Sequence, residues 1–264
     1  MGRSCPACGH TFEPRAAFGP FVPTNSGTYS SDNFSLVSCP NCETVYLSPA
    51  PTTDDLRVMY VDSVQFTHEV YTAPERIASI NEYMLDGLKR AMNATGITRE
   101  PAVLEIGAGY AWMCRAAKGR FPNARTVAQD VTAEVSLRCP WVDDYIVADI
   151  DDELLERMAP FDVISMTHVI EHLVEPEVAL RILRQRLAAG GAMFITAPYG
   201  PRGDARTRDP EAWRSFLHMH VPAHTQYFSE QGLHTLAGKA GLRLVHWNSG
   251  HDDGQAFEAI LACA

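Results

Sequence analysis

In Val103-Leu104-Glu105-Ile106-Gly107-Ala108-Gly109 an apolar run of strand length breaks into two closely spaced glycines. That is the pattern of a buried strand turning into a helix around a ligand, because glycine lets a bound group approach backbone N–H groups closely. Taken alone the two glycines are weak evidence. The dinucleotide fingerprint needs a small residue at its sixth position, and here Trp112 stands there. Downstream, Thr126–Asp130 reads as a second strand ending in an acid, and Asp144–Asp149 as a third. A carboxylate at Asp130 can accept hydrogen bonds from both hydroxyls of a ribose. Asp149 can accept from an adenine amino group while Ile150 packs on the ring. These pieces fit a nucleoside without a pyrophosphate.

The alternation continues outward. Strands are expected at 161–166 and 192–197, with helices near 110–119, 151–158 and 175–188, the last ended by Gly190-Gly191. Short apolar strands separated by helices predict βαβ units and a parallel sheet. Residues 199–224 interrupt the rhythm with Pro, Arg, Trp and His. A helix at 229–240 then leads into two strands with no helix between them, 242–247 and 256–262. Upstream, apolar residues from Leu56 to Met92 recur at three- and four-residue spacing and predict helix over 53–95. The expected organisation is a module at 1–50, a linker and helical cap at 51–100, and an α/β domain at 101–264 that carries an insertion at about 199–224.

The first fifty residues have a different texture, rich in Pro, Gly, Ser and aromatics. Cys5-Pro6-Ala7-Cys8 and Cys39-Pro40-Asn41-Cys42 form two C-x-x-C pairs. Each such turn aims two thiolates at one point, and two turns supply the tetrahedral sulfur cage that Zn²⁺ accepts. The expectation is a structural zinc ribbon held by Cys5, Cys8, Cys39 and Cys42, with strands at 18–22 and 34–37. A redox dithiol is the competing reading, and His10 an alternative ligand. Cys114, Cys139 and Cys263 read as ordinary packing residues.

Composition bounds the rest. The chain has 264 residues, 46% of them hydrophobic, and a formal charge of −10. It has material for a real core and no basic block for nucleic acid or an anionic membrane. It has no apolar run of membrane-spanning length and no apolar secretory segment after Met1. A cytoplasmic globular protein is expected.

The residues from about Pro101 onward resemble the class I S-adenosylmethionine (SAM)-dependent methyltransferases. The resemblance rests on 103–109, Asp130, the stretch 161–173 (Phe-Asp-Val-Ile-Ser-Met-Thr-His-Val-Ile-Glu-His-Leu) and the stretch 187–198 (Leu-Ala-Ala-Gly-Gly-Ala-Met-Phe-Ile-Thr-Ala-Pro). It implies a Rossmann-like seven-stranded sheet whose last two strands form an antiparallel hairpin. It also implies that Glu105, Gly107, Ala108 and Gly109 face the methionine part of SAM, Asp130 the ribose, and Asp149 with Ile150 the adenine. Ala111 departs from the glycine common there. The ribbon followed by Val45–Pro51 is similar to a bacterial small-molecule subgroup that includes deoxysugar C-methyltransferases. The catalytic C-terminal domain of those enzymes has no counterpart in these residues, so their mechanism is not carried over.

His168-Val169-Ile170-Glu171-His172 falls where this family keeps its acceptor pocket. Were it helical, His168 and His172 would share a face beside Glu171. Three readings stand: a general base, with His168 first; a metal site of two imidazoles and a carboxylate; or a structural turn. Ubiquinone-pathway O-methyltransferases and small-RNA methyltransferases carry a similar Glu-x-x-Glu-His site, in which His168 here replaces the first Glu. The 199–224 insertion is expected to be a lid or pocket wall, with His224 or Tyr227 facing substrate. The candidate catalytic residues are His168, His172 and His224. The expected reaction is in-line methyl transfer to an O, N or C nucleophile of a small molecule, a sugar derivative or secondary metabolite among the classes considered. An RNA methyltransferase using the ribbon, a non-catalytic binding protein and a nucleotide-dependent oxidoreductase are the alternatives.

Overall fold

Seven strands form the central sheet of the computed structural model. The structure describes residues 3–12, 34–52, 54–56, 73–150, 158–251 and 254–264. The strands are β3 (Ala102–Ile106), β4 (Arg125–Asp130), β5 (Asp144–Val147), β6 (Phe161–Thr167), β7 (Leu187–Pro198), β9 (Leu242–His251) and β10 (Ala256–Cys263). They lie in the order β5-β4-β3-β6-β7-β10-β9; the first five run parallel, and β10 pairs antiparallel with both β7 and β9. This is the Rossmann-like methyltransferase sheet with its C-terminal antiparallel hairpin. Strand order reverses between β3 and β6, and such a crevice at the carboxyl ends of the strands is where open α/β sheets bind ligands.

Alternate residues of each strand serve two cores, as the period of two requires. On one face Val103, Ala128, Val163, Phe194 and Ile260 pack under helices α1 (Pro74–Thr95) and α2 (Trp112–Arg120). On the other, Leu104, Val127, Ile164 and Ile195 meet helices α3 (Pro176–Arg184) and α6 (Glu230–Lys239). Within α1 the periodic Met84, Leu88 and Met92 are buried, as their spacing predicts. Upstream, a helical turn at 54–56 begins at Thr52, whose hydroxyl accepts from the Asp55 N–H at 3.1 Å while Asp55 accepts from the Thr52 N–H at 2.7 Å. Residues 53 and 57–72 of the helix expected over 53–95, residues 151–157 of the one expected at 151–158, and the strand at 18–22 lie outside the described residues.

Gly190-Gly191 is a correction. The helix expected to end there stops at Arg184, and both glycines lie inside β7. A Cβ on Gly191 would stand 3.0 Å from the carbonyl oxygens of Ala188 and Asp162, and Gly190 has φ +74°. The pair lets β7 approach β6 where their register shifts between Phe161 and Val163.

A second, antiparallel sheet joins β1 (Ser35–Ser38), β2 (Val45–Ser48) and β8 (Gln226–Tyr227). Its first two strands come from the cysteine segment and its third from the far side of the insertion. Short helices α4 (Ala205–Arg208) and α5 (Pro210–Arg214) lie within that insertion. Trp213, Phe216, Met219 and Val221 pack against Phe34, Leu36, Val45 and Leu47. The insertion's aromatics therefore anchor it to the cysteine module.

Candidate functional site

Beyond Ile106 the chain takes left-handed backbone three times, at Gly107 (φ +57°), Gly109 (φ +48°) and Ala111 (φ +51°). The alanine carries the strain that makes glycine common at such a position, about 1–2 kcal/mol. Gln129 steadies the loop, its backbone oxygen accepting from the Ala108 N–H at 2.9 Å and its side-chain oxygen from the Gly107 N–H at 3.3 Å. Asp130 accepts from the Gly109 N–H at 2.8 Å and, through its other oxygen, from the Thr132 N–H at 3.0 Å. The Tyr145 hydroxyl donates to the Gly109 carbonyl at 2.9 Å. A Cβ built on Gly109 meets nothing within 4 Å. The loop is thus rigid on its sheet side and open on the other, a cradle suited to a ligand that comes close to backbone. Asp130, half-buried at the end of β4, and exposed Asp149 with half-buried Ile150, just past β5, continue the same edge.

Glu105, expected to face the ligand, sits elsewhere. It is buried, and its carboxylate accepts from the Cys114 N–H at 3.0 Å, underpinning the start of α2. Burial pushes its pKa up to about 7 against the opposing pull of the helix amides. Trp112, the residue that breaks the dinucleotide pattern, stacks on Trp141 with Arg115 above both rings.

On the other side of the switch point, residues 168–172 are not an α-helix, so the condition for a shared helical face of His168 and His172 is not met. His168 is left-handed (φ +55°), and only Ile170–His172 forms a 3₁₀ turn. The histidines instead converge through Glu171, whose Oε1 lies 3.4 Å from His168 Nδ1 and 4.0 Å from His172 Nε2. Glu171 is wholly buried, and neither carboxylate oxygen has a hydrogen-bond donor among the described residues.

His224 completes the group from the insertion, with its ring edge-on to His172 at 4.7 Å. His172 Nδ1 faces the Ala223 carbonyl at 3.0 Å, and His224 Nδ1 the His218 carbonyl at 2.8 Å. A carbonyl only accepts, so both imidazoles carry their proton on Nδ1 and turn the Nε2 lone pair elsewhere. Burial holds the pKa of both rings down, His224 far down. Donor atoms of Glu171, His172 and His224 lie within 4.8 Å of one another. His168 is the half-exposed member of the group, with 45% of its side chain accessible. Tyr227, expected to face substrate, is buried in β8 instead, its hydroxyl donating to the His218 carbonyl at 3.1 Å.

A sequence model of the methyltransferase-domain family matches residues 75–247, well over half of the chain. The chain belongs to that methyltransferase family. The ubiquinone biosynthesis O-methyltransferase of Xylella fastidiosa (strain M23) is 26% identical over 125 residues, 45% of this chain and 48% of its own length. The chain thus spans about half the length of the curated relatives it matches. Among solved structures, magnesium protoporphyrin IX methyltransferase from Synechocystis, with SAH bound, superposes at a TM-score of 0.56. It is 10% identical and covers 80% of this chain and 99% of its own. Mitomycin 7-O-methyltransferase gives 0.54 at 17% identity, covering 79% of this chain and 60% of its own. These two likenesses speak for the class I SAM-dependent methyltransferase fold.

The cysteine module lies outside the matched span. Its two turns are built alike: the Gly9 N–H donates to the Cys5 carbonyl and the Glu43 N–H to the Cys39 carbonyl, each at 2.8 Å. Gly9 (φ +78°) and Glu43 (φ +58°) occupy matching left-handed positions. The Sγ atoms of Cys5 and Cys42 lie 3.6 Å apart, as do those of Cys8 and Cys39, and all four fall within 4.8 Å. A tetrahedron of Zn–S bonds near 2.3 Å has edges of about 3.8 Å, so the sulfurs fit a zinc ion. Hydrogen bonding to Cys39 and Cys42, with burial, pushes the Cys5 thiol up, while Cys39 and Cys5 pull Cys42 down. Such close sulfurs ionise together only around a cation.

Proposed function

We propose that this protein transfers a methyl group from SAM to a small-molecule acceptor, with a structural zinc at Cys5, Cys8, Cys39 and Cys42. The observation that carries the reading is the open glycine cradle clasped by Asp130, one strand away from a buried carboxylate–imidazole group. When bound, SAM supplies an electrophilic methyl on a sulfonium. Gly107, Ala108 and Gly109 then offer backbone to its methionine part, Asp130 its remaining lone pairs to the ribose, and Asp149 and Ile150 an edge and a face to the adenine. The remaining acceleration comes from holding the acceptor in line, which is proximity and orientation. His168 is the base for a hydroxyl acceptor, because it is the accessible imidazole and Glu171 stands behind it to stabilise the imidazolium. His172 and His224, held neutral by burial, shape the pocket. The likeness to a ubiquinone-pathway O-methyltransferase favours an oxygen acceptor, and the net charge of −10 favours a small molecule over RNA. The ribbon module supports kinship with zinc-ribbon small-molecule methyltransferases.

A second reading concerns Glu171, His172 and His224 alone. The bare Glu171 oxygens beside two Nε2 lone pairs suit a divalent cation that would orient an acceptor hydroxyl. Metal analysis after mild chelation separates it, since a second metal that His224→Ala abolishes, with the cysteine-bound zinc retained, is its signature.

The test of the main reading is a transfer assay with methyl-labelled SAM, offering a metabolite extract and total RNA side by side. Label should enter the low-mass organic fraction and fall about 100-fold or more in His168→Ala. Label entering RNA alone would turn the reading to an RNA methyltransferase, and no label in either fraction would leave a non-catalytic module.

A further inference from the structure

The groups that hold the two halves of the site have different origins. The glycine cradle is held from within the sheet, by Gln129, Asp130 and Tyr145. The turn bearing Glu171 and His172 is tied to β7 at one point, where the His168 N–H donates to the Thr196 carbonyl at 2.9 Å, and Val169 packs beside Gly107; its other ties come from the cysteine module through β8. Strand β2 leaves the second cysteine knuckle and pairs with β8, Val45 opposite Tyr227 and Tyr46 opposite Gln226. The Leu47 N–H donates to the Thr225 carbonyl at 2.9 Å. Thr225 in turn donates to the Glu171 carbonyl twice, from its N–H at 2.8 Å and its hydroxyl at 3.0 Å. The Gln226 amide donates to the Ile170 carbonyl at 3.0 Å and the Leu173 carbonyl at 2.6 Å. His224, a member of the buried group, is the residue immediately before this bridge.

Further ties fix the cysteine module to this side of the molecule. Arg206, a buried guanidinium, donates to the Glu43 carbonyl beside Cys42, to Tyr227 at 2.7 Å and to Tyr199 at 2.9 Å. The Ser229 hydroxyl donates to the Cys42 carbonyl while accepting from the Gly232 N–H at 2.8 Å, so one side chain caps α6 and grips the knuckle. At Gly232 the module comes so close that any side chain would collide with Thr44 Oγ1. Arg3, two residues before Cys5, reaches the Val174 carbonyl at 3.0 Å, just past the turn.

We propose that the zinc module is the scaffold of the acceptor half: metal at the four cysteines sets the order of residues 168–174 through Thr225 and Gln226, which are positioning residues, and leaves the SAM half unaffected. The word acceptor rests on the methyl-transfer reading; the mechanical coupling does not. A module bound this way cannot be a detachable docking domain. Every hydrogen bond from β8 to the turn depends on where β2 lies, and β2 starts three residues after Cys42.

The test is hydrogen exchange on the full chain, zinc-loaded and chelated, with SAH binding measured on the same samples. Chelation should speed exchange across 168–174 and 220–229 by about tenfold or more, change 104–117 and 126–131 less than about twofold, and leave SAH affinity within about twofold. Thr225→Val, with zinc content intact, should reproduce the faster exchange at 168–174, and Thr225→Ser, which keeps the hydroxyl, should restore protection. Unchanged exchange at 168–174 in both chelated protein and Thr225→Val would overturn the proposal. So would loss of protection at the glycine loop together with the turn, which would make zinc a general stabiliser. Failure of the zinc-loaded wild type to bind SAH would instead sink the methyl-transfer reading and leave the coupling standing.

Discussion

Glu105 puts a titratable group under α2, the helix that follows the glycine loop, and the sign of its effect is open to direct measurement. Burial raises its pKa from 4.5 to about 7. Below pH 4.5 the carboxyl is protonated both folded and unfolded and has no pH-linked effect. Between 4.5 and 7 the unfolded chain has lost the proton while the folded chain keeps it, so stability falls as pH rises. Above about 7 both states are ionised and the loss levels off. The span of about 2.5 pH units at 1.36 kcal/mol each comes to about 3 kcal/mol. Glu105→Gln keeps an oxygen for the Cys114 N–H and removes the charge. Urea unfolding of both proteins at pH 5, 6, 7 and 8 isolates the group by difference. Wild type should lose up to about 3 kcal/mol relative to Glu105→Gln across that range. A difference of opposite sign, with wild type gaining as pH rises, would mean that the amides of α2 outweigh desolvation and would refute the reasoning.

Gly107→Ala should destabilise by about 2–4 kcal/mol in chemical denaturation, since it adds left-handed strain at φ +57° to a Cβ 2.6 Å from Val169 Cγ2; a cost below about 1 kcal/mol would show that the loop relaxes freely. Trp213→Ala empties the contact between insertion and ribbon and strands the Arg206 carbonyl that its indole N–H meets at 2.8 Å, so about 3–5 kcal/mol should be lost. Metal analysis should find about one tightly held zinc per chain that Cys39→Ser with Cys42→Ser removes, and cobalt exchanged into that site should give the intense thiolate-to-metal absorption of a four-sulfur tetrahedron.

What was legible in the sequence is what local spacing encodes. The run 103–109 announced a strand and a left-handed turn because glycine tolerates φ values that other residues resist. The C-x-x-C pairs announced a cluster of four sulfurs because each turn aims two of them at one point. Gly190-Gly191 misled because a glycine pair after an amphipathic helix is also a stop signal, and only the neighbouring strand shows that the pair lets β7 approach β6. Only in a helix would the spacing of His168 and His172 put them on one face. They meet at Glu171 instead, because a left-handed residue and a 3₁₀ turn replace the helix. His224 reaches His172 from far along the chain, and no local pattern announces so distant a meeting. Glu105 had the right residue type for a ligand contact and the wrong depth, since burial depends on how α2 packs. Tyr227 lies at the end of the cluster of aromatics and histidines, and its place in a strand became visible only once β2 was beside it.

Calorimetric titration of zinc-loaded protein with SAM and with its demethylated product, alongside Asp130→Ala, bears most directly on the central claim. The account predicts micromolar binding that the substitution weakens by about tenfold or more, roughly 1.4 kcal/mol, because the carboxylate clasps the Gly109 N–H and, in the proposed reading, accepts from the ribose. Folded protein that takes up neither compound, or binds both equally well without Asp130, would contradict it.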